Sequence, residues 1–122
     1  MITCAMCDDE LPFAEQLRSL VMAYAKKKRV ELQAETFASA EELLEEIENG
    51  AGFEILFLDI EMRKMDGIEL GKKLRELSYQ TLIIYVSGYD QYMRQLFEAE
   101  PFRFLSKPLK QEELENVLDK EF

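Results

Sequence analysis

The stretch EILFLDI, residues 54–60, decides the fold class that this sequence predicts. It is an almost continuous apolar run that reaches Asp59, and a second such run, TLIIYVS, covers residues 81–87. Continuous apolar runs of this kind are typical of central strands in a parallel sheet that is covered on both faces. VELQAETF, residues 30–37, instead nearly alternates between apolar and polar residues, which predicts an edge strand.

Segments with a helical spacing of apolar residues lie between and around these strands. The five predicted helices have their apolar stripes at 17–24, 43–47, 68–77, 92–97 and 114–118. Ser39 is predicted to cap the second helix, with Glu42 completing a capping box. Two further strands, at 2–7 and 102–107, complete a (βα)5 order. This alternation predicts an α/β domain with helices on both faces of a five-stranded parallel sheet, and a ligand site at the carboxyl ends of the strands.

The composition disfavours several classes of function. The length of 122 residues suits one domain, and we expect residues 1–122 to form it. A net charge of −10, from 25 acidic and 15 basic residues, disfavours nucleic-acid binding by this domain. We expect neither a membrane span nor a signal peptide, and the two cysteines without a glycosylation acceptor predict a cytoplasmic location. The absence of histidine excludes histidine-based metal sites and catalytic triads.

Polar residues capable of chemistry stand where the predicted strands end. They are Asp8 and Asp9 after the first strand, Asp59 at the third, Ser87 and Gly88 at the fourth, and Lys107 at the fifth. Three carboxylates in one crevice are not expected all to stay ionised without a cation, and a ligand set of oxygens favours Mg²⁺. One carboxylate is then free to act as a nucleophile. Ser87 and Lys107 would donate to an anion, for which a phosphoryl group is the best candidate.

The segments around these residues resemble a response-regulator receiver domain over essentially the whole chain. The matching segments are CDDE (7–10), LFLDIEMRKMDGIEL (56–70), YVSGYD (85–90) and FRFLSKPL (102–109). The stretch YDQYMRQLFEAEPFRFLSKP, residues 89–108, is most similar to receivers of LytTR-type regulators. The resemblance implies a flavodoxin-like, CheY-like fold with strand order 2-1-3-4-5 and a role as a switch in two-component signalling.

The resemblance also implies a role for each site residue. Asp59 would accept phosphate from the phosphohistidine of a sensor histidine kinase. Mg²⁺ would be held by Asp8, Asp9, Asp59 and the backbone carbonyl of Glu61, while Ser87, Gly88 and Lys107 would contact the phosphoryl group and Phe104 would be the switch aromatic. The output or homodimer face would combine the fourth predicted helix, the fifth strand and the closing helix, including Tyr92, Met93, Leu96, Phe97, Phe102 and Arg103. The LytTR resemblance favours control of transcription by a DNA-binding domain absent from this chain.

Two positions depart from the family pattern. Arg63 stands where the family usually has proline, so the loop after Asp59 lacks the constraint of a fixed φ. Phe104 replaces a common tyrosine, so this side chain can still change rotamer but has no hydroxyl to offer a partner.

Three other functions stay open at this point. A Mg²⁺-dependent phosphatase could use Asp59 as its nucleophile, although the chain has no cap-domain insertion and Glu61 replaces the second aspartate of a D-x-D motif. A flavodoxin-like cofactor binder would need a phosphate-binding loop after the first strand, where the acids at 8–10 would repel phosphate. A pseudo-receiver that only mediates contacts is disfavoured because every site position is filled.

Cys4 and Cys7 form a C-x-x-C motif inside the first predicted strand. Residues three apart on a strand point to opposite faces, so the two cannot easily share a metal or close a disulfide. We therefore expect both to be small core residues. Cys7 adjoins the predicted site and is the more susceptible of the two to oxidation.

Overall fold

A computed structural model describes residues 1–88 and 103–121, which form a five-stranded parallel sheet with helices on both faces. The strands are β1 (Ile2–Cys7), β2 (Leu32–Phe37), β3 (Ile55–Asp59), β4 (Leu82–Ser87) and β5 (Arg103–Ser106). Their order is β2-β1-β3-β4-β5, and all neighbouring pairs are parallel. The predicted fold class and strand order are therefore confirmed, and the alternating stretch forms the edge strand β2.

The described helices are α1 (Leu11–Lys28), α2 (Ala40–Glu48), α3 (Gly67–Glu76) and a closing helix (Gln111–Asp119). Pro12 lies in the first turn of α1, where its missing N–H costs no helical hydrogen bond. Within the described residues, none of these helices has the length and apolar character that a bilayer span requires. The predicted helix at 92–97 lies outside the described residues.

Two apolar cores lie on opposite faces of the sheet. One contains α2 and α3, through Leu43, Ile47, Leu70 and Leu74. The other contains α1 and the closing helix, through Leu17, Val21, Leu114 and Leu118. Successive residues of β1 alternate between the two cores, as the pleat of a strand requires. All five residues of β3 are buried, which explains its continuous apolar sequence.

Two local predictions were wrong. The Ser39 side chain accepts a hydrogen bond from the Glu42 N–H, but the Glu42 carboxylate accepts from the N–H of Ala38, so no capping box closes at α2. The capping box lies at α3 instead, between Asp66 and Glu69. Leu77, predicted on the apolar stripe of the third helix, is 55% exposed because α3 ends before it.

The closing helix is attached to the C-terminal half of α1 by polar contacts. The Tyr24 hydroxyl donates to Asp119 at 2.7 Å, and Lys27 Nζ lies 2.9 Å from a carboxylate oxygen of Glu115. The positively charged side chains in the last turn of α1 also interact favourably with the negative end of the helix dipole. These contacts connect the last helix of the chain to the first.

Candidate functional site

Three carboxylates meet at the carboxyl edge of the sheet. Asp8 and Asp9 follow β1 directly and Asp59 ends β3, and parallel pairing of these strands places the two strand ends side by side. One oxygen from each carboxylate lies within 4.8 Å of the other two. Asp8 and Asp59 are buried, with 3% and 4% exposure, while Asp9 is half-buried. The structure thus brings together the three carboxylates that were predicted to lie at neighbouring strand ends.

Lys107 reaches this cluster from the end of β5. Its Nζ lies 3.2 Å from Asp8 Oδ2 and 3.3 Å from Asp59 Oδ1. Its backbone N–H donates to the carbonyl of Ser87 at 3.0 Å, which attaches the start of the loop after β5 to β4. The ammonium also lies 4.1 Å from the centre of the Phe13 ring, on α1. Lys107 is therefore held by two carboxylates and an aromatic face.

Burial and neighbouring charges shift the pKa values of Asp59, Asp8 and Lys107. Burial, followed by the charge of Asp8, raises the pKa of Asp59 to about 7, although Lys107 lowers it. Burial also raises the pKa of Asp8, against the opposing effects of the Glu10 N–H and Lys107. Burial lowers the pKa of Lys107, but Asp59 and Asp8 outweigh burial, and that pKa is raised overall. A further cation beside Asp8 and Asp59 would favour their ionised forms.

The donor set fits a hard divalent cation. Three carboxylates grouped within 4.8 Å offer the oxygen ligands that Mg²⁺ prefers, and burial raises the pKa values of Asp8 and Asp59, which a bound cation would oppose. Glu61 lies two residues beyond Asp59, and its loop and Asp9 line one cavity of about 910 Å³. The role of the Glu61 backbone carbonyl as a further ligand stays a prediction.

The other predicted site residues fall in three places. Ser87 ends β4 with 2% exposure, and Gly88 follows it. β4 lies between the strands that carry Asp59 and Lys107, so Ser87 stands between those two strand ends. Phe104 is half-buried and packs against the core that contains α2 and α3. Arg103 is exposed, with its guanidinium 2.6 Å from Glu121, whereas Tyr92, Met93, Leu96, Phe97 and Phe102 lie outside the described residues.

The loop between β3 and α3 is attached to its surroundings at several backbone groups. The N–H of Arg63 donates to Asp9 Oδ2 at 3.2 Å, a bond that the family's usual proline could not make. The N–H of Met65 donates to Glu41 Oε2, also at 3.2 Å. Gly67 begins α3 so close to β3 that a Cβ atom there would overlap the backbone oxygen of Asp59. Only glycine fits this approach.

Sequence reasoning missed two residues that touch this site. Phe13 lies under Lys107, and Glu41 holds the loop after β3. In the sequence, Phe13 is indistinguishable from the other apolar residues of α1. Glu41 is an acidic residue of the kind that commonly occurs at the start of a helix. Neither has a sequence signal of its own, because both contacts depend on how separate loops meet.

The two cysteines are core residues, as predicted. Cys4 belongs to the core of α1 and Cys7 to the core of α2 and α3, so they lie on opposite faces of the sheet and both are free thiols. Burial raises the pKa of Cys4 to about 12 and also raises that of Cys7. Cys7 Sγ lies 3.6 Å from Met62 Sδ. The C-x-x-C motif is packing rather than a metal or redox pair.

Comparison with known proteins shows the family to which the chain is similar. The family model described as "Response regulator receiver domain" matches residues 5–119. Sensory transduction protein LytT of Bacillus cereus is 29% identical over 98% of this chain and 47% of its own length. Sensory transduction protein LytR of Streptococcus agalactiae is 28% identical over 93% of this chain and 45% of its own length. The chain thus spans about half the length of the curated relatives it matches.

Solved structures show the same fold. The response regulatory domain of protein mrkE from Klebsiella pneumoniae superimposes with a TM-score of 0.82 over 98% of this chain and 93% of that one, at 19% identity. The LytT and LytR relatives agree with the similarity to LytTR-type receivers that the sequence indicated. The chain therefore belongs to the receiver-domain family of two-component response regulators.

Proposed function

We propose that this domain is a phosphorylation-dependent switch in which Asp59 accepts a phosphoryl group from the phosphohistidine of a sensor histidine kinase. The observation that carries this proposal is the position of the Asp59 carboxylate. It is buried at the end of β3, grouped with two other carboxylates and 3.3 Å from the Lys107 ammonium. A nucleophile, a cation site and an anion-binding amine thus meet at one point.

Mg²⁺ would be held by the carboxylates of Asp8, Asp9 and Asp59 and by the backbone carbonyl of Glu61. When bound, it would supply the positive charge that keeps the carboxylates ionised and balances charge on the phosphoryl oxygens. The raised pKa of Asp59, about 7, supports this need, because a protonated carboxyl is a poor nucleophile.

In the transfer itself, an oxygen of ionised Asp59 forms a bond to phosphorus as the bond between phosphorus and the histidine nitrogen breaks. The product is an aspartyl phosphate on this chain and a free histidine on the kinase. Lys107 can follow the new charge, since its ammonium already contacts Asp59. The Ser87 hydroxyl and the Gly88 N–H stand at the neighbouring strand end and are the further donors to the phosphoryl oxygens.

The signal would leave the site through β5. Phosphorylation adds negative charge beside Lys107, which extends from the end of that strand, and Phe104 in the same strand would change rotamer in response. The readout face would include Tyr92, Met93, Leu96, Phe97, Phe102 and Arg103, with homodimerisation or contact with an output domain as its result. Contacts that favour the active state by a few kcal/mol suffice to make a minor population a major one.

The regulated output is proposed from the resemblance to LytTR-type regulators and from a further relative, transcriptional regulatory protein LytR of Staphylococcus aureus. Because this chain matches about half the length of LytT and LytR, the remaining part of a full-length regulator would carry a DNA-binding output domain and control transcription. A phosphatase with Asp59 as its nucleophile is the less favoured function, since receiver domains are generally signalling domains and not enzymes.

The direct test is to incubate the protein with Mg²⁺ and acetyl phosphate and to measure its intact mass. One phosphoryl adduct is expected, located at Asp59 and lost in Asp59→Asn. Asp66→Asn is the matched control, because asparagine still caps α3 and the adduct should remain. No adduct on the wild-type chain, or an adduct that survives in Asp59→Asn, would contradict the proposal. Steady turnover of a small phosphate ester that requires Asp59 would favour the phosphatase instead.

A further inference from the structure

The middle of the loop between β3 and α3 is held by carboxylates from two other segments. The Arg63 N–H donates to Asp9, which follows β1, and the Met65 N–H donates to Glu41 in the first turn of α2. The N-terminus of a helix favours a negative side chain, so the position of Glu41 is itself favourable. Two loop residues that flank Lys64 are therefore each attached to a separate element.

This loop needs such support. Lys64 has a φ of 61°, in the left-handed region that costs free energy for a residue with a side chain. Arg63 gives no fixed φ of the kind that proline would supply. The ends of the loop are already fixed, by Asp59 in β3 and by the capping box at Asp66. Between these ends, the loop is held by the two hydrogen bonds to carboxylates and by packing of Met62 and Met65 against the core.

We propose that Glu41 is a positioning residue for the cation site. By holding the Met65 N–H, it fixes the loop that carries the Glu61 carbonyl next to Asp9. Glu41, Glu61 and Asp9 line the same cavity. The inference rests on the proposed function, in which Mg²⁺ binds Asp8, Asp9, Asp59 and the Glu61 carbonyl.

The test compares Glu41→Ala with Glu41→Gln in the whole chain. Both variants remove one negative charge, but glutamine keeps an oxygen that can accept from the Met65 N–H. Isothermal titration calorimetry with MgCl₂ should give a dissociation constant about threefold weaker for Glu41→Ala than for Glu41→Gln, the loss expected for one hydrogen bond. Hydrogen exchange followed by NMR should show a protected Met65 amide in the wild type and in Glu41→Gln, and a faster one in Glu41→Ala.

Glu42→Ala serves as a control for damage to α2. Glu42 occupies the next position in the same turn and accepts from Ala38, away from the loop, so its removal should leave the Met65 amide protected. Circular dichroism checks that each variant is folded. Equal Mg²⁺ affinity in Glu41→Ala and Glu41→Gln, or unchanged Met65 exchange in Glu41→Ala, would overturn this inference alone. Wild-type protein that binds no Mg²⁺ would overturn the proposed cation site and this inference together.

Discussion

The Lys107 ammonium lies 3.3 Å from a carboxylate oxygen of Asp59, although the two residues end strands that are not neighbours in the sheet. We expect Lys107→Met to weaken binding of beryllofluoride, a phosphoryl analogue, by at least about tenfold, because a charge-assisted contact to the anion is lost. The same change should leave Mg²⁺ affinity equal or higher, since it removes a positive charge from the cluster. Fluorine NMR and calorimetry measure the two affinities.

Lys110→Met is the matched control for that experiment. Lys110 is exposed at the start of the closing helix, and its side chain makes no capping bond there. Its loss should change beryllofluoride affinity little. Equal losses in the two variants would mean that general electrostatic attraction, rather than the contact between Lys107 and Asp59, binds the anion.

The stability of the metal-free protein should fall as the pH rises from about 4 to about 7. The folded-state pKa of Asp59 is about 7 and its ordinary value is 3.8, so the folded protein retains a proton that the unfolded chain releases. Asp59 destabilises the folded protein least below pH 3.8, where it is protonated in both states. The free energy of unfolding then falls as the pH rises from 3.8 to about 7. The loss is at most roughly 4 kcal/mol.

Asp59→Asn removes this titration and should therefore be more stable than the wild type near pH 8 in EDTA, with a smaller difference near pH 4. Urea unfolding followed by circular dichroism measures both free energies of unfolding, since the chain has no tryptophan. Parallel stability profiles for the two proteins would show that Asp59 has an ordinary pKa. Saturating Mg²⁺ should reduce the advantage of Asp59→Asn, because the cation stabilises the ionised carboxylate.

Phe13→Leu should weaken beryllofluoride binding by about threefold without loss of fold, because it removes an aromatic face 4.1 Å from the Lys107 ammonium. Phe13→Tyr keeps the ring and should bind like the wild type. The affinities come from the same fluorine NMR titration. A leucine variant with wild-type affinity would show that the ring does not help to place Lys107.

Gly67→Ala should lower the free energy of unfolding by roughly 1–3 kcal/mol. The new methyl group would meet the backbone of Asp59 and Ile60, which cannot move without shifting β3. Gly52→Ala is the control, because a Cβ there would have no neighbour within 4 Å, and its effect should stay within about 0.5 kcal/mol. Equal effects in urea unfolding would contradict the close packing of α3 against β3.

The identity of the strands and the grouping of polar side chains at their ends could be predicted because the signals are local. The apolar run of β3 ends at a buried aspartate, and parallel strands bring their carboxyl ends to one edge, so Asp8, Asp59 and Lys107 follow from the pattern. The alternation of apolar and polar residues in β2 likewise predicts its position at the edge of the sheet.

The contacts that refine the site could not be predicted, because they depend on where loops from different elements meet. The bonds from Arg63 to Asp9 and from Met65 to Glu41 use backbone N–H groups, which every residue except proline has, so the sequence marks none of them. The capping boxes show a related limit. Glu42 and Glu69 have the same spacing from a capping residue, and only the direction of each side chain decides which box closes.

The order of strands makes Lys107 a link between two strands that are not neighbours. β5 is two places from β3, so at 4.7–4.9 Å per strand the side chains of Lys107 and Asp59 together span roughly 10 Å of sheet past the end of β4. The Lys107 contacts of 3.2 and 3.3 Å leave little slack, and a displacement of about 1 Å would take them beyond hydrogen-bonding distance. Lys107 thus links the edge of the sheet to its centre through an ion pair. Under the proposed function, a change of charge at Asp59 would act on the end of β5 through this ion pair, and a movement of β5 would change the electric field at Asp59.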